Sequence, residues 1–210
     1  PFGTVSSAAV QPDHMEEVLF GRESPERGVE QGLLEQAHGG VIYFDEVADM
    51  PSGTQSKILR VLVDQSFTRV GGTAKVRVDL RVISSTSRDL ATEIAQGRFR
   101  EELYHRLNVV PIEVPSLEDR RDDIPELARH FIAEFNRDQG LPLRPLGEDA
   151  VAMLQTMRWP GNVRQLRNVI ERVLILGEGT GPIEARDLPG QAEAAGDDDS
   201  AALSPTLTTL

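Results

Sequence analysis

The chain has 210 residues, of which 39% are hydrophobic and 27% charged, and its 34 acidic against 22 basic residues give a net charge of −12. This is an ordinary globular composition, long enough for one large domain or for one domain with a smaller companion. The absence of cysteine excludes a disulfide framework, a cysteine nucleophile and a thiolate metal site. The acidic balance argues against nucleic-acid binding by these residues alone. No apolar run reaches the roughly 18 residues of a membrane span and no signal peptide opens the chain, which predicts a cytoplasmic protein.

The first half of the chain alternates strand patterns with helix patterns. Residues 1–5 read as a strand with no start signal before it, so the fold is expected to begin upstream. Val41–Phe44 is a continuous apolar run, typical of a strand that is buried on both faces. Ser52 and Gln55 form the pattern of a capping box at the start of a helix.

Further elements of the same kind follow as far as Pro115. In chain order they are a hairpin with strands at 67–70 and 76–82 around Gly71–Gly72, helices near 89–96 and 100–107, and a strand at Val109–Val114. Strands that alternate with helices predict an α/β fold with a mostly parallel sheet.

After Pro115 only helix patterns remain. Apolar residues recur at helical spacing from Ile124 to Phe135, and a second helix is expected around 151–157. Asn162 is predicted to cap a third helix. Residues 189–210 lack periodicity and are predicted to form a flexible acidic tail. The predicted division is therefore an α/β part at 1–116, a helical part at 117–188 and the tail.

The strongest chemical signal is a pair of acids at the end of the Val41–Phe44 strand. Asp45 and Glu46 follow that strand directly, which places them at the carboxyl edge of a parallel sheet, where α/β folds bind ligands. In nucleotide hydrolases the first such acid holds Mg²⁺ and the second polarises the attacking water. From these residues alone, two solvated acids at a strand end remain an equal alternative.

Four segments in a fixed order give this pair a context. They are Phe67–Gly72, Gly97–Val109 and Trp159–Leu166, together with the Asp45–Glu46 strand. In order and spacing they resemble the AAA+ domain of bacterial sigma-54-dependent transcription activators, over roughly residues 1–188. Within that family the chain is most similar to the NtrX-type nitrogen-response regulators, because its first surface loop is altered in the same way.

The resemblance implies a fold and a set of site residues. The fold is an AAA+ mostly parallel sheet with flanking helices, its N-terminal part missing from these residues, followed by a small all-helical lid subdomain. Asp45 and Glu46 correspond to the catalytic Walker B pair, with Asp45 as an indirect Mg²⁺ ligand. The other implied positions are Thr86 and Ser87 at sensor I, Arg100 and Arg106 as the two arginine fingers, and Arg164 at sensor II, which reaches from the lid to the γ-phosphate.

The roles of the three arginines follow less directly from the residues themselves. Arg100 and Arg106 are six positions apart, which is about 240° around a helix. Both can reach one phosphate only if the chain bends or a helix begins between them. The alternative for each is a surface salt bridge with a nearby acid such as Glu101, and for Arg164 it is a solvated helix face.

Three departures from the family pattern bear on function. No phosphate loop of the form G-x-x-x-x-G-K-S/T occurs in these residues. The GAFTGA sequence, with which activators contact sigma-54, is replaced by the charged, shortened stretch 22–30. The usual asparagines of the second strand and of sensor I are Ser6 and Ser87. Weak ATP binding by these residues and slow turnover in the intact protein are therefore expected.

The resemblance also implies ligands and partners. ATP or ADP with Mg²⁺ is expected in the intact domain, and none is expected to be bound by residues 1–210 alone. The expected partners are further copies of the chain through the AAA+ interface, receiver and helix-turn-helix domains of the same protein, and a cognate sensor kinase. DNA is expected to be contacted only through the helix-turn-helix domain, and no membrane contact is expected.

Three functions remain open on the sequence. The first is the central nucleotide-binding and oligomerisation domain of a two-component response regulator that controls nitrogen-related transcription without remodelling sigma-54 polymerase. The second is a non-enzymatic regulatory scaffold with a vestigial ATP site. The third is a sigma-54 activator with an altered contact loop.

Overall fold

The computed structural model describes residues 1–26, 28–177 and 180–189 and divides into two compact units, Pro1–Ile112 and Glu113–Leu210. Each unit has a hydrophobic core of its own. No helix in the described part of the chain is long and apolar enough to cross a membrane. Apart from Pro189, the tail predicted at 189–210 lies outside the described residues.

The first unit contains the α/β part of the fold. Its elements in chain order are β1 (Phe2–Ser6), α1 (Pro12–Phe20), β2 (Gly21–Ser24), β3 (Gly28–Gln31), α2 (Leu33–Gln36), β4 (Gly40–Asp45), α3 (Ser52–Asp64), β5 (Ser66–Thr68), β6 (Lys75–Arg77), β7 (Leu80–Ser84), α4 (Leu90–Ala95) and α5 (Glu101–Leu107). The strands predicted at 1–5 and 41–44 and the helices predicted near 89–96 and 100–107 are confirmed.

The main sheet is parallel, with the strand order β1-β4-β7. Its centre is buried, with Ile42 and Phe44 of β4 at 0% and 1% exposure. The register pairs Ser6 with Asp45 and Phe44 with Ser84, so the carboxyl ends of all three strands meet at one edge. The predicted α/β fold is confirmed, and its sheet edge carries the predicted acids.

The strand predicted at 76–82 is two strands instead of one. β6 runs antiparallel to β5, whereas β7 runs parallel to β4. The break lies at Val78 and Asp79, whose N–H groups donate to the Gln65 carbonyl (3.0 Å) and to His38 Nδ1 (3.0 Å). The Val78 bond still follows the β5–β6 register, whereas the Asp79 N–H donates to a side chain, so the chain leaves one sheet for the other at this point.

The strand predicted at Val109–Val114 is not formed. Val109, Val110, Ile112 and Val114 are between 74% and 83% exposed. A strand needs a neighbour to take up its backbone hydrogen bonds, and in the described part of the chain β7 pairs only with β4, so its other edge is open. The run is apolar as the sequence shows, but in the described part of the chain no strand lies beside it.

The capping box predicted at Ser52 and Gln55 is also wrong. α3 does begin at Ser52, but Pro51 is the N-cap and no side chain caps the helix. Gln55 is fully buried instead, and its side chain bonds to backbone groups outside the helix.

The second unit is helical, as predicted. Its elements are a 3-10 turn at Glu118–Asp123, α6 (Ile124–Gln139), α7 (Glu148–Thr156), α8 (Asn162–Leu176) and a 3-10 turn at Ala185–Asp187. Trp159 lies in its core at 1% exposure and donates from Nε1 to the Leu154 carbonyl at 2.9 Å. Asn162 does not cap α8 through its side chain, because its Oδ1 accepts the Leu117 N–H at 2.7 Å.

Candidate nucleotide site

The predicted acid pair lies at a sharp turn after β4. Asp45 is the last residue of β4, and Glu46 has a left-handed backbone (φ 51°) before a 3-10 turn at Val47–Asp49. A non-glycine residue in this conformation costs on the order of 1 kcal/mol. The turn is anchored to the neighbouring strand end, since Val47 N–H donates to the Ser85 carbonyl and Ser85 N–H to the Phe44 carbonyl, both at 2.9 Å. The two acids therefore have fixed and different directions.

Asp45 is held through one carboxylate oxygen. The Ser85 hydroxyl donates to Oδ1 at 2.9 Å, and the Tyr43 hydroxyl lies 2.8 Å from Ser85 Oγ and 3.2 Å from the same Oδ1. Within the described residues the second oxygen, Oδ2, accepts no hydrogen bond. Mg²⁺ in proteins is commonly bound by one or two carboxylates together with phosphates and water, so this half-occupied carboxylate suits it.

Glu46 is held by a residue that was predicted to contact nucleotide. The backbone N–H and the hydroxyl of Ser87 both donate to Glu46 Oε2, at 2.9 and 3.0 Å. The neighbouring Thr86 hydroxyl accepts the Arg88 N–H at 3.1 Å. The serine at this position is thus long enough to reach the catalytic acid predicted beside it.

Sequence reasoning missed Tyr43 and Ser85. Tyr43 stands two residues before Asp45 on one strand and therefore shares its face, which is a signal the sequence carries. Ser85 reaches Asp45 only because β7 pairs with β4, and strand pairing is not visible in the sequence. Ser6, the predicted departure on β1, lies opposite Asp45 in the register.

Arg100 and Arg106 lie at opposite ends of α5. The helix begins at Glu101, so Arg100 is its N-cap and Arg106 lies in its last turn, and the condition that a helix begin between them is met. Both side chains are exposed, and neither forms an ion pair within the described part of the chain. Arg106 donates to the Leu62 carbonyl at 3.1 Å. Among the described residues neither arginine therefore forms the salt bridge given as its alternative role.

Arg164 belongs to the second unit. It lies in the first turn of α8, is exposed, and has neither a hydrogen bond nor an ion pair among the described residues. Its guanidinium is available for a ligand.

The altered first surface loop is a short hairpin that is tied to the second one. β2 and β3 pair from Gly21 opposite Gln31 to Ser24 opposite Gly28. Glu23 N–H donates to the Val70 carbonyl at 2.9 Å, and Val70 N–H to the Gly21 carbonyl at 3.0 Å. The β2–β3 hairpin and the loop between β5 and β6 are therefore one structural piece.

Arg69 stabilises this piece through ion pairs with Glu23 and Glu35. Its Nε and Nη2 donate to the Glu35 carboxylate at 2.8–3.1 Å, and Nη1 lies 3.3 Å from Glu23 Oε2. The hydrogen bonds with Glu35 are the largest cause of a pKa of Arg69 above its ordinary value. The side chain is only 12% exposed, so this contact is largely shielded from water.

Arg69→Met is expected to loosen both hairpins. It leaves the Glu35 carboxylate without its main partner, which costs about 1–2 kcal/mol of local stability. Hydrogen exchange of the amides in β2, β3 and β5 should accelerate. Arg22→Met is the matched control, because Arg22 and Glu17 form an exposed pair at 3.4 Å worth about 0–1 kcal/mol. Equal exchange rates in the two variants would contradict the role of Arg69.

A parallel sheet with two acids at its carboxyl edge, followed in the chain by a separate helical unit, is the combination of an AAA+ fold with its lid. Two solved structures of Thermotoga maritima RuvB share this fold at TM-scores of 0.54 and 0.55, with 12% and 13% identity over 92% of this chain. Residues 1–113 match the sigma-54 interaction domain, and residues 118–205 match the AAA+ ATPase lid domain. The chain therefore belongs to the sigma-54 interaction domain family.

Relatives of the chain include regulators of nitrogen metabolism. The nitrogen assimilation regulatory protein NtrX of Azorhizobium caulinodans is 53% identical over 99% of this chain and 44% of its own length. The DNA-binding transcriptional regulator NtrC of Escherichia coli K12 is 42% identical over 91% of this chain and 41% of its own. NtrX of Brucella abortus, solved in complex with ATP, is 53% identical at a TM-score of 0.84, covering 91% of this chain and 45% of its own. The predicted resemblance is confirmed, and the chain spans less than half the length of these relatives.

Proposed function

We propose that these residues form the central nucleotide-binding and self-assembling domain of a cytoplasmic two-component response regulator that controls nitrogen-related transcription. The carboxyl edge of the sheet carries this proposal, because Asp45 and Glu46 are separately oriented there by Ser85 and Ser87. The relatives NtrX and NtrC support the regulatory context. Receiver and helix-turn-helix domains, a sensor kinase and DNA reached through the second of those domains are the partners that this role requires.

Each acid has one task. Asp45 would hold Mg²⁺ indirectly, through water at Oδ2, while Ser85 and Tyr43 keep Oδ1 in place. Mg²⁺, when bound, supplies charge neutralisation for the phosphates. Glu46 uses Oε2 for Ser87 and keeps Oε1 to orient a water molecule. Thr86 and Ser87 of the first unit and Arg164 of the second are the proposed nucleotide contacts.

The open edge of β7 supports a nucleotide site that is incomplete in these residues. Two side chains of β7, Leu80 and Val82, line a cavity of about 300 Å³ together with Leu62, Arg106, Leu107, Val109 and Val110. Two exposed valines of this lining, Val109 and Val110 at 74% and 76%, form a small apolar patch. A further strand, carrying the phosphate loop in the whole protein, would pair with β7 and cover the patch.

The 210-residue chain is therefore expected to bind Mg²⁺-ATP weakly or not at all, since no backbone cradle or lysine holds the phosphates. The full-length protein is expected to bind with micromolar affinity and to assemble with other copies. Calorimetric titration of both proteins and sedimentation of the full-length protein with and without nucleotide test this. Micromolar affinity of the 210-residue chain would contradict the incomplete site.

The scaffold alternative is favoured by one observation, the serines Ser6 and Ser87 at the two positions where the family usually has asparagine. A full-length protein that assembles but neither binds nor turns over ATP would establish the scaffold and overturn the nucleotide site. Asp45→Asn is the control in that comparison, because loss of the charge should weaken Mg²⁺-ATP binding only where the site is functional.

A further inference from the structure

Gln55 is a fully buried polar residue of α3. All of its side-chain hydrogen bonds are to backbone groups outside this helix. Its Nε2 donates to the Met50 carbonyl at 2.8 Å and to the Arg98 carbonyl at 2.9 Å. Its Oε1 accepts the Arg100 N–H at 2.9 Å. Because a buried amide without partners is costly, this side chain fixes the segment 98–100 against α3 and Met50.

The two segments that the Gln55 side chain joins both adjoin proposed functional residues. Met50 ends the 3-10 turn that begins directly after Glu46. Arg98 and Phe99 lead into Arg100, the N-cap of α5. Phe99 is 3% exposed and adds an apolar anchor to the same segment. One side chain therefore joins the turn behind the acid pair to the start of the helix with the two exposed arginines.

A second route runs between the same segments through ion pairs. Arg88, which follows Ser87, pairs with Asp49 and lies 3.9 Å from Glu93. Glu93 in turn accepts two hydrogen bonds from Arg98, at 2.6 and 2.7 Å. These contacts hold the pKa of Glu93 below its ordinary value, the hydrogen bond with Arg98 being the largest cause. The segment before Arg100 is thus held from two sides.

We propose that Gln55 is a positioning residue for Arg100, holding the start of α5 so that this guanidinium projects from its own subunit toward the nucleotide of a neighbouring copy. This rests on the proposed function, and specifically on Arg100 acting between subunits. Arg100 has no side-chain partner in the described residues, so the direction of its side chain depends on where its backbone is held. A displacement of about 1 Å in a catalytic group costs on the order of 10²-fold in rate.

Gln55→Leu removes all three bonds at nearly constant volume and is the main variant. Gln55→Glu keeps the acceptor for Arg100 N–H but loses both donors, and serves if the leucine variant does not fold. Thr54→Val is the matched control, since Thr54 is buried on the same helix and has no hydrogen bond to either segment. Without any nucleotide, hydrogen exchange at residues 97–104 should accelerate in Gln55→Leu and stay unchanged in Thr54→Val.

Subunit mixing in the full-length protein then decides which site Gln55 serves. Gln55→Leu alone is expected to lower kcat by about 10–100-fold with little change in nucleotide affinity. Mixing it with Glu46→Ala should restore turnover, because the Glu46→Ala subunit donates an intact arginine to an intact acid pair. Mixing it with Arg100→Ala should not, because neither subunit then has a correctly placed Arg100.

The opposite pattern would overturn the inference. If Gln55→Leu is rescued by Arg100→Ala but not by Glu46→Ala, Gln55 serves its own acid pair through Met50. Unchanged hydrogen exchange at residues 97–104 in Gln55→Leu would also contradict the inference, because Gln55 would then not hold this segment. The proposed function fails separately, when Arg100→Ala and Glu46→Ala do not restore each other. If the mixture of Arg100→Ala and Glu46→Ala restores turnover but the two mixtures with Gln55→Leu do not give the expected results, only the positioning role of Gln55 is wrong.

Discussion

Arg100→Ala or Arg106→Ala in the full-length protein is expected to lower ATP turnover by on the order of 10³–10⁵ while leaving nucleotide binding nearly intact. An arginine finger stabilises charge that develops on the transferred phosphate and adds little to ground-state binding. Both side chains are exposed at the ends of α5, and no ion pair in the described residues restrains them. They are therefore free to act across a subunit interface, and turnover should depend on protein concentration.

A mixing experiment separates this role from a surface role. An Arg100→Ala subunit should be rescued by a Glu46→Ala subunit, because one supplies the acid and the other the arginine. Arg60→Ala is the control, since Arg60 is exposed on α3 of the same unit. Unchanged turnover in both arginine variants, without rescue in the mixture, would leave Arg100 and Arg106 as ordinary surface residues worth about 0–1 kcal/mol each.

The full-length protein is also expected to form no stable complex with sigma-54 in the presence of a transition-state analogue of ATP. β2 and β3 pair from Gly21–Gln31 to Ser24–Gly28, and in the sequence only Pro25-Glu26-Arg27 stands between the two strands. These residues include neither the aromatic side chain nor the threonine of GAFTGA. Arg69 further ties this hairpin to the loop between β5 and β6.

Gel filtration with an activator that has GAFTGA as the positive control tests this expectation. The control should elute together with sigma-54, and this protein should elute separately. Grafting GAFTGA into the hairpin in place of residues 22–30 should not lower nucleotide affinity. This variant therefore separates sigma-54 binding from nucleotide binding. Co-elution of the unmodified protein would instead establish a sigma-54 activator with an altered contact loop.

The helices and the central strand followed from local patterns. The helical spacing from Ile124 to Phe135 gave α6, and the apolar run before Asp45 gave β4. Both patterns record which side chains must leave water, and this is a property of neighbouring residues in the chain. The acid pair was found for the same reason, because it directly follows such a run.

Gln55 shows the limit of local patterns. The spacing of Ser52 and Gln55 satisfies a capping box, yet Gln55 lies in the interior because Met50 and the segment 98–100 offer three backbone partners there. Met50 is only five residues away, but Arg98 and Arg100 are 43 and 45 residues away in the chain and reach Gln55 only after folding. The predicted strand at Val109–Val114 was wrong for a related reason, since an apolar run forms a strand only where a neighbouring strand takes up its hydrogen bonds, and the described residues provide none there.

The sequence by itself determined the α/β and helical parts, the family and the identity of the two acids. The periodicity of apolar residues and the order of the motifs are properties of the sequence itself. Only the tertiary structure decided which groups orient those acids. Ser85 and Ser87 reach Asp45 and Glu46 because β7 pairs with β4 in one particular register. The tertiary structure also separated Arg100 from Arg106 by starting α5 between them. Contacts of this kind join residues that are far apart in sequence, and their geometry is fixed only when the sheet and its helices pack together.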